Sequence, residues 1–140
     1  MKVAVAADHG GFQLKGDIIS LLREMGHEVS DQGCYSEDSV NYPDYAQAVC
    51  ALVIDGGCQR GILICGTGIG MSMAANRHKD IRAALCHEQF TARMSREHND
   101  ANVLCLGARV TGPGLALAIV STWMATDFAG GRHLQRISMF

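Results

Sequence analysis

Residues 62–72 read ILICGTGIGMS: three aliphatic residues and Cys65 form an apolar run, and glycines at 66, 68 and 70 then strip the backbone of side chains. An apolar run that breaks into glycines before a helix-compatible stretch reads as a strand, a tight turn and a helix. The same alternation continues on both sides. KVAVAA (2–7), HEVSD (27–31), GILIC (61–65), RAALC (82–86) and NVLCLG (102–107) read as strands. Between them, Leu14, Ile18, Leu21, Leu22 and Met25 recur at helical spacing before Gly26 provides a stop. Ala46, Val49 and Val53 form one stripe of a segment opened by Pro43 and closed by a glycine pair. Residues 70–78, 88–97 and 113–126 complete the alternation.

Parallel strands require crossovers, and right-handed crossovers stack helices on both faces of the sheet. The expected architecture is therefore α/β, a three-layer α/β/α Rossmann-like fold around a five-stranded parallel sheet, with residues 1–140 as a single domain. A chain of 140 residues suits one core. Its 48% apolar and 19% charged residues are an ordinary globular balance, and the net charge of −2 argues against nucleic acid as a partner. The opening MKVAVAADHGG breaks at Asp8 and His9, too early for a signal peptide or a membrane span. A cytoplasmic location away from membranes is expected. The six cysteines (34, 50, 58, 65, 86 and 105) include no CxxC pair and read as free thiols, with Cys50, Cys86 and Cys105 placed as small core residues.

In such folds ligands collect beyond the carboxyl ends of the strands. Those ends carry Asp8-His9-Gly10-Gly11, Cys65-Gly66-Thr67-Gly68-Ile69-Gly70 and Gly107-Ala108-Arg109. The helix after the fourth strand ends in SREHND, offering His98, Asn99 and Asp100, and GGRHLQR sets Arg132 and Arg136 on one face if it is helical. Bare backbone at a helix amino terminus presents N–H donors to an anion, and a thiol at its edge shares that field, which raises its thiolate fraction. Three accounts of this loop compete. A dinucleotide fingerprint is matched at Gly66 and Gly68 but has Met71 where its third glycine belongs, with Glu88 as the acid such a site uses. A phosphate-binding Walker loop lacks its lysine at Gly70-Met71-Ser72. The third account is a tight turn with a buried cysteine.

Taken together, AADHGGFQLK (6–15), NYPDYA (41–46), GILICGTGIGMSMAANR (61–77), SREHNDANVLCLGARV (95–110) and GGRHLQR (130–136) closely resemble the ribose-5-phosphate isomerases of the B type. The wider family includes galactose-6-phosphate and allose-6-phosphate isomerases. The resemblance implies reversible isomerisation of ribose 5-phosphate and ribulose 5-phosphate through an enediolate, without metal or cofactor. It implies Cys65 as general base, Thr67 orienting it, and Gly66, Gly68, Ile69 and Gly70 supplying donors to the enediolate. His98 would open the sugar ring, Asp8 would assist or bind hydroxyls, and Asn99 would bind sugar oxygens. Arg109, Arg132 and Arg136 would hold the phosphate with His9 as a further contact, and Tyr42 would line the substrate. A homodimer or tetramer is implied, with His98, Asn99 and Arg109 reaching the neighbour's Cys65 loop. Relatives with a longer carboxyl-terminal helix imply a looser hold on Arg136 here.

The residues alone also allow plainer roles. Asp8 could cap the helix starting near Gly10, and Arg132 and Arg136 could be a solvated helix face. His27, His78 and His87 receive no role, and no set of side chains has metal-ligand spacing. Two alternatives stay open: an isomerase of a hexose 6-phosphate, and a non-catalytic nucleotide or sugar-phosphate binding module, which requires Glu88 in the pocket and Cys65 turned into the core.

Overall fold

The structure is a computed structural model that describes residues 1–140. Strands β1 (Lys2–Ala7), β2 (Glu28–Asp31), β3 (Arg60–Cys65), β4 (Ala83–Leu85) and β5 (Val103–Gly107) alternate with helices α1 (Phe12–Glu24), α2 (Tyr42–Ile54), α3 (Ile69–Ala75), α4 (Gln89–Glu97), α5 (Pro113–Ala125) and α6 (Arg132–Ile137). All strand pairs are parallel, in the order β2-β1-β3-β5-β4. The expected α/β architecture with a five-stranded sheet is what the chain forms. The chain steps outward in one direction from β1 and in the other from β3, so the switch point lies between those two strands. Asp8-His9 and the Cys65 loop flank it.

The pleat sorts the core. Val3, Val5, Ile62, Ile64, Leu104 and Leu106 face α1, α4 and α5. Ala4, Ala6, Leu63, Cys65, Val103 and Cys105 face α2 and α3. Cys65 thus ends β3 on the α2/α3 side. β4 is shorter than RAALC suggested: the Arg82 N–H goes to a side chain, donating to Asn102 Oδ1 at 2.8 Å. GGRHLQR is helical from Arg132 onward, the condition under which its two arginines share a face. No helix is long and apolar enough to cross a membrane.

The amino edge of the sheet carries buried charge. Arg60 and Arg96, both nearly solvent-free, lie 5.2 and 5.8 Å from the Trp123 ring. Arg60 closes α5 by donating to the carbonyls of Trp123, Met124 and Thr126 at 2.9–3.2 Å. Burial, helped by the neighbouring Arg96 and opposed by Asp127 and Asp100, pushes the Arg60 guanidinium down to about 10.

Candidate active site

The glycine loop is built by contact. A Cβ on Gly107 would lie 2.6 Å from the Thr67 carbonyl, and one on Gly68, whose φ is +77°, would lie 2.5 Å from Leu85 Cδ1. Both positions exclude a side chain, the second for its left-handed backbone as well. Gly107→Ala is expected to cost about 1–3 kcal/mol, read as a lower chemical-denaturation midpoint, and to push the Cys65 loop out of place.

Around that loop the structure gathers one group of the expected residues. Asp8 is buried, and its Oδ1 accepts from Gly10 N at 2.8 Å and Gly11 N at 3.2 Å. It shapes the turn before α1, whose own N-cap, Gly11, has no side-chain bond. The turn rests on the loop: a Cβ on Gly10 would lie 3.2 Å from Gly66 N. Tyr42 covers the other side, its ring 2.7 Å from a Cβ placed on Gly70. His9 Nδ1 accepts from Val40 N at 3.3 Å, leaving Nε2 to carry the proton of a neutral ring. His9, Gly10, Gln13, Asp17, Glu37 and Arg109 are among the residues lining a 330 Å³ cavity beside this turn.

Cys65 Sγ accepts from Gly68 N at 3.1 Å. The N–H groups of Gly66, Thr67 and Gly70, in the same loop, have no protein acceptor. At 5% exposure Cys65 is the most accessible of the six cysteines, all free. Burial pushes Cys50 up to about 11 and raises Cys58, Cys86 and Cys105 as well, which keeps those four as inert thiols.

Three expectations meet a different geometry. Thr67 Oγ1 accepts from Ile69 N at 3.3 Å and makes no bond to Cys65, because its side chain follows the turn towards α3; the donor at the sulfur is Gly68 N–H. Arg109 lies against its own chain's loop. β5 runs beside β3, so Ala108 N donates to Cys65 O and Arg109 N to Gly66 O, each at 2.9 Å, and a Cβ on Gly66 would lie 3.3 Å from the guanidinium. Glu88 faces no pocket: its carboxylate caps α4 by accepting from Phe90 N and Thr91 N. The dinucleotide fingerprint therefore lacks its acid as well as its third glycine.

A second group of expected residues sits elsewhere. His98 ends α4, and its ring stacks on His133 of α6 with centroids 4.2 Å apart. Asn99 follows, while Arg132 and Arg136 lie exposed on α6 with no carboxylate partner. These residues occupy the amino edge of the sheet, where Gly61 N donates to Asn102 O. β3 alone separates Gly61 from Cys65 by roughly 13 Å. Within one chain His98 and Cys65 lie at opposite ends of the sheet.

Some structural partners of the site received no role above. Lys15 is buried and pairs with Asp31 at 2.6 Å; Asp31 also accepts from Gly33 N, holding the turn after β2. Arg82 and Arg96 both pair with Asp100 at the end of α4. The i,i+4 spacing of Arg96 and Asp100 was the available signal. Nowhere do three or more His, Cys, Asp or Glu side chains gather as a metal would need.

A family model described as Ribose/Galactose Isomerase matches residues 3–140. The chain is 54% identical over 138 residues to a putative sugar phosphate isomerase of Bacillus subtilis, covering 98% of this chain and 93% of that one. It is 48% identical over 136 residues to ribose-5-phosphate isomerase B of Escherichia coli, covering 97% and 91%. The structure superposes on a ribose-5-phosphate isomerase B of Clostridium thermocellum with a TM-score of 0.98 at 52% identity, covering 99% of this chain and 94% of the other. With the matched model spanning almost every residue, and the glycine loop and the His98 turn both within it, the chain belongs to the ribose/galactose isomerase family.

Proposed function

We propose that this chain interconverts ribose 5-phosphate and ribulose 5-phosphate, with Cys65 as the base. The observation that carries the proposal is a thiol held by one N–H at 3.1 Å, in a loop with three further unpaired N–H groups, at the switch point of a parallel sheet. Isomerisation removes the C2 proton of the open-chain aldose and returns a proton to C1, while a proton shifts between the two oxygens. A thiolate can carry the carbon-bound proton across. The enediolate charge formed between the two transfers needs fixed donors, which the N–H groups of Gly66, Thr67 and Gly70 supply without reorganisation. Asp8 and Tyr42 border the same space and are assigned to the sugar hydroxyls.

The site is completed by a second copy of the chain. His98 and Asn99, assigned to ring opening and to sugar oxygens, cannot reach their own Cys65 across the sheet, and neither can the phosphate-binding pair Arg132 and Arg136. In a two-fold dimer the amino edge of one subunit meets the carboxyl edge of the other twice. Ile69 and Met73, exposed four residues apart on α3 beside the Cys65 loop, leave an apolar face for such a contact. Arg109 belongs to the Cys65 half and His9 with it, so the phosphate is held from both subunits.

Steady-state rates on ribose 5-phosphate, allose 6-phosphate and galactose 6-phosphate test the substrate. The highest kcat/KM is expected for ribose 5-phosphate; a hexose phosphate in that place would overturn the pentose assignment and keep the chemistry. Selective alkylation tests the base. Cys65 is expected to react before the other five thiols and to be protected by ribose 5-phosphate, as peptide mapping would show.

Arg132→Ala and Arg136→Ala are each expected to raise KM with little change in kcat, because phosphate binds equally in ground and transition states. Losing one of several charge-assisted donors costs about 2 kcal/mol, or roughly 30-fold in affinity. Competition by inorganic phosphate should weaken in parallel, and unchanged inhibition in both variants would place the phosphate elsewhere.

A further inference from the structure

We propose that Arg82 and Asp100 form a clamp that positions His98 and Asn99 for catalysis. The inference rests on the role given above to His98. The turn that carries these two residues is held in a conformation it would not keep alone. Asp100 has φ +46°, a region most side chains avoid and aspartate tolerates. Its N–H returns to Arg96 O at 3.1 Å and Ala101 N–H to Ser95 O at 2.9 Å, so the chain reverses within three residues of His98.

Two guanidinium groups fix that reversal from opposite sides. Arg82, from the start of the edge strand β4, donates through Nε to both Asn99 O and Asp100 O at 3.0 Å and through Nη2 to Asp100 Oδ2 at 3.0 Å. Arg96, buried on α4, donates through Nη1 to Asp100 Oδ1 at 2.8 Å and to Ala101 O at 2.6 Å. Asp100 thus spends one carboxylate oxygen on each arginine. Its charge also faces the buried Arg60. Asn102 ties the clamp to the sheet, accepting from Arg82 N at 2.8 Å and donating to Asp80 O at 2.7 Å.

The placement concerns function as well as folding. Arg82 bonds the carbonyl of Asn99 itself, and Asn99 and Arg82 line one 440 Å³ cavity. A shift of about 1 Å in a proton-transferring group can cost about 100-fold. Stacking on His133 fixes the plane of the His98 ring, but the position of its backbone depends on the turn. Arg82 and Asp100 touch no reacting atom, so both are positioning residues.

The test is a double-mutant cycle on the whole protein. Asp100→Asn keeps shape and tolerates the left-handed backbone, so it folds even where Arg82→Gln does not. Both variants are expected to lower kcat tenfold or more, with a smaller rise in KM for ribose 5-phosphate as Asn99 loosens from the sugar. Arg82→Lys is expected not to rescue, because one ammonium cannot serve two carbonyls and a carboxylate as a planar fork does. In a His98→Ala background the same substitutions should lower kcat by less than a further twofold. A wild-type kcat in both variants, or a full tenfold loss repeated on top of His98→Ala, overturns the clamp while leaving the role of His98 standing. Wild-type activity in His98→Ala alone overturns that role, and the clamp with it.

Discussion

Cys65→Ala is expected to lower kcat by about 1000-fold, inside the 10²–10⁴ range that one general base supplies, while ribose 5-phosphate binds within about twofold of wild type. The asymmetry follows from where each interaction acts. A base matters only as the proton leaves carbon, whereas the groups assigned to grip the sugar and phosphate are Asp8, Tyr42, His9, Arg109 and the arginines of α6. The fold should survive, because the change removes a single sulfur at the rim of the α2/α3 core, at a cost on the order of 1–2 kcal/mol. Single-turnover rates and calorimetric binding on the same preparation separate the two effects. Substantial turnover in the alanine variant would remove Cys65 as the base. A variant that failed to bind would instead make the thiol part of the substrate contact.

The ease of reading this chain varied from segment to segment for physical reasons. Ile62, Leu63 and Ile64, and their neighbours Leu104 to Leu106, are buried on both faces of a central sheet, so their strands appear as unbroken apolar runs. β4 is an edge, and its limit depends on a bond between Arg82 and Asn102, twenty residues apart, which no local pattern records. Glu88 fitted a dinucleotide site by spacing alone. Its position directly before Gln89, at the start of α4, makes it a cap, and three-dimensional placement was needed to choose between the two roles.

The glycine spacing at 66, 68 and 70 identified the candidate site, and its thiol accepts from the backbone N–H of Gly68. The division of the site into two ends of the sheet was implicit in the topology. A helix that follows a parallel strand must return to the amino edge, so His98 at the end of α4 had to lie away from Cys65 at the end of β3. The strand ends placed Arg109 with Cys65 and the resemblance grouped it with His98; it lies against its own chain's Cys65 loop, with the whole of β5 between it and the His98 turn. Lys15 was invisible for another reason. It sits beside Leu14 on an amphipathic helix, where lysine is normally solvated, and its partner Asp31 is supplied by β2 across the layer.

Mixed dimers of Cys65→Ala and His98→Ala chains are expected to regain about a quarter of wild-type activity, although each variant alone is nearly inactive. The number follows from the separation of the two residues. If each site takes Cys65 from one subunit and His98 from the other, a mixed dimer concentrates both defects in one site and leaves the second intact. Unfolding and refolding an equimolar mixture pairs chains at random, so half of the dimers are mixed and each has one working site of two. A site confined to one chain would gain nothing, because every copy of it would keep a defect. Native mass spectrometry on differently tagged chains confirms that mixed dimers formed. Background activity in such a sample would rule out the shared site, and it would then require a large rearrangement to bring His98 to Cys65 within one chain, since β3 stands between them. Recovery near a quarter would also place Arg132 and Arg136 with the neighbour's thiol, because α6 is fastened to the end of α4 by the His98–His133 stack and by Ala129 N donating to Glu97 O at 3.0 Å.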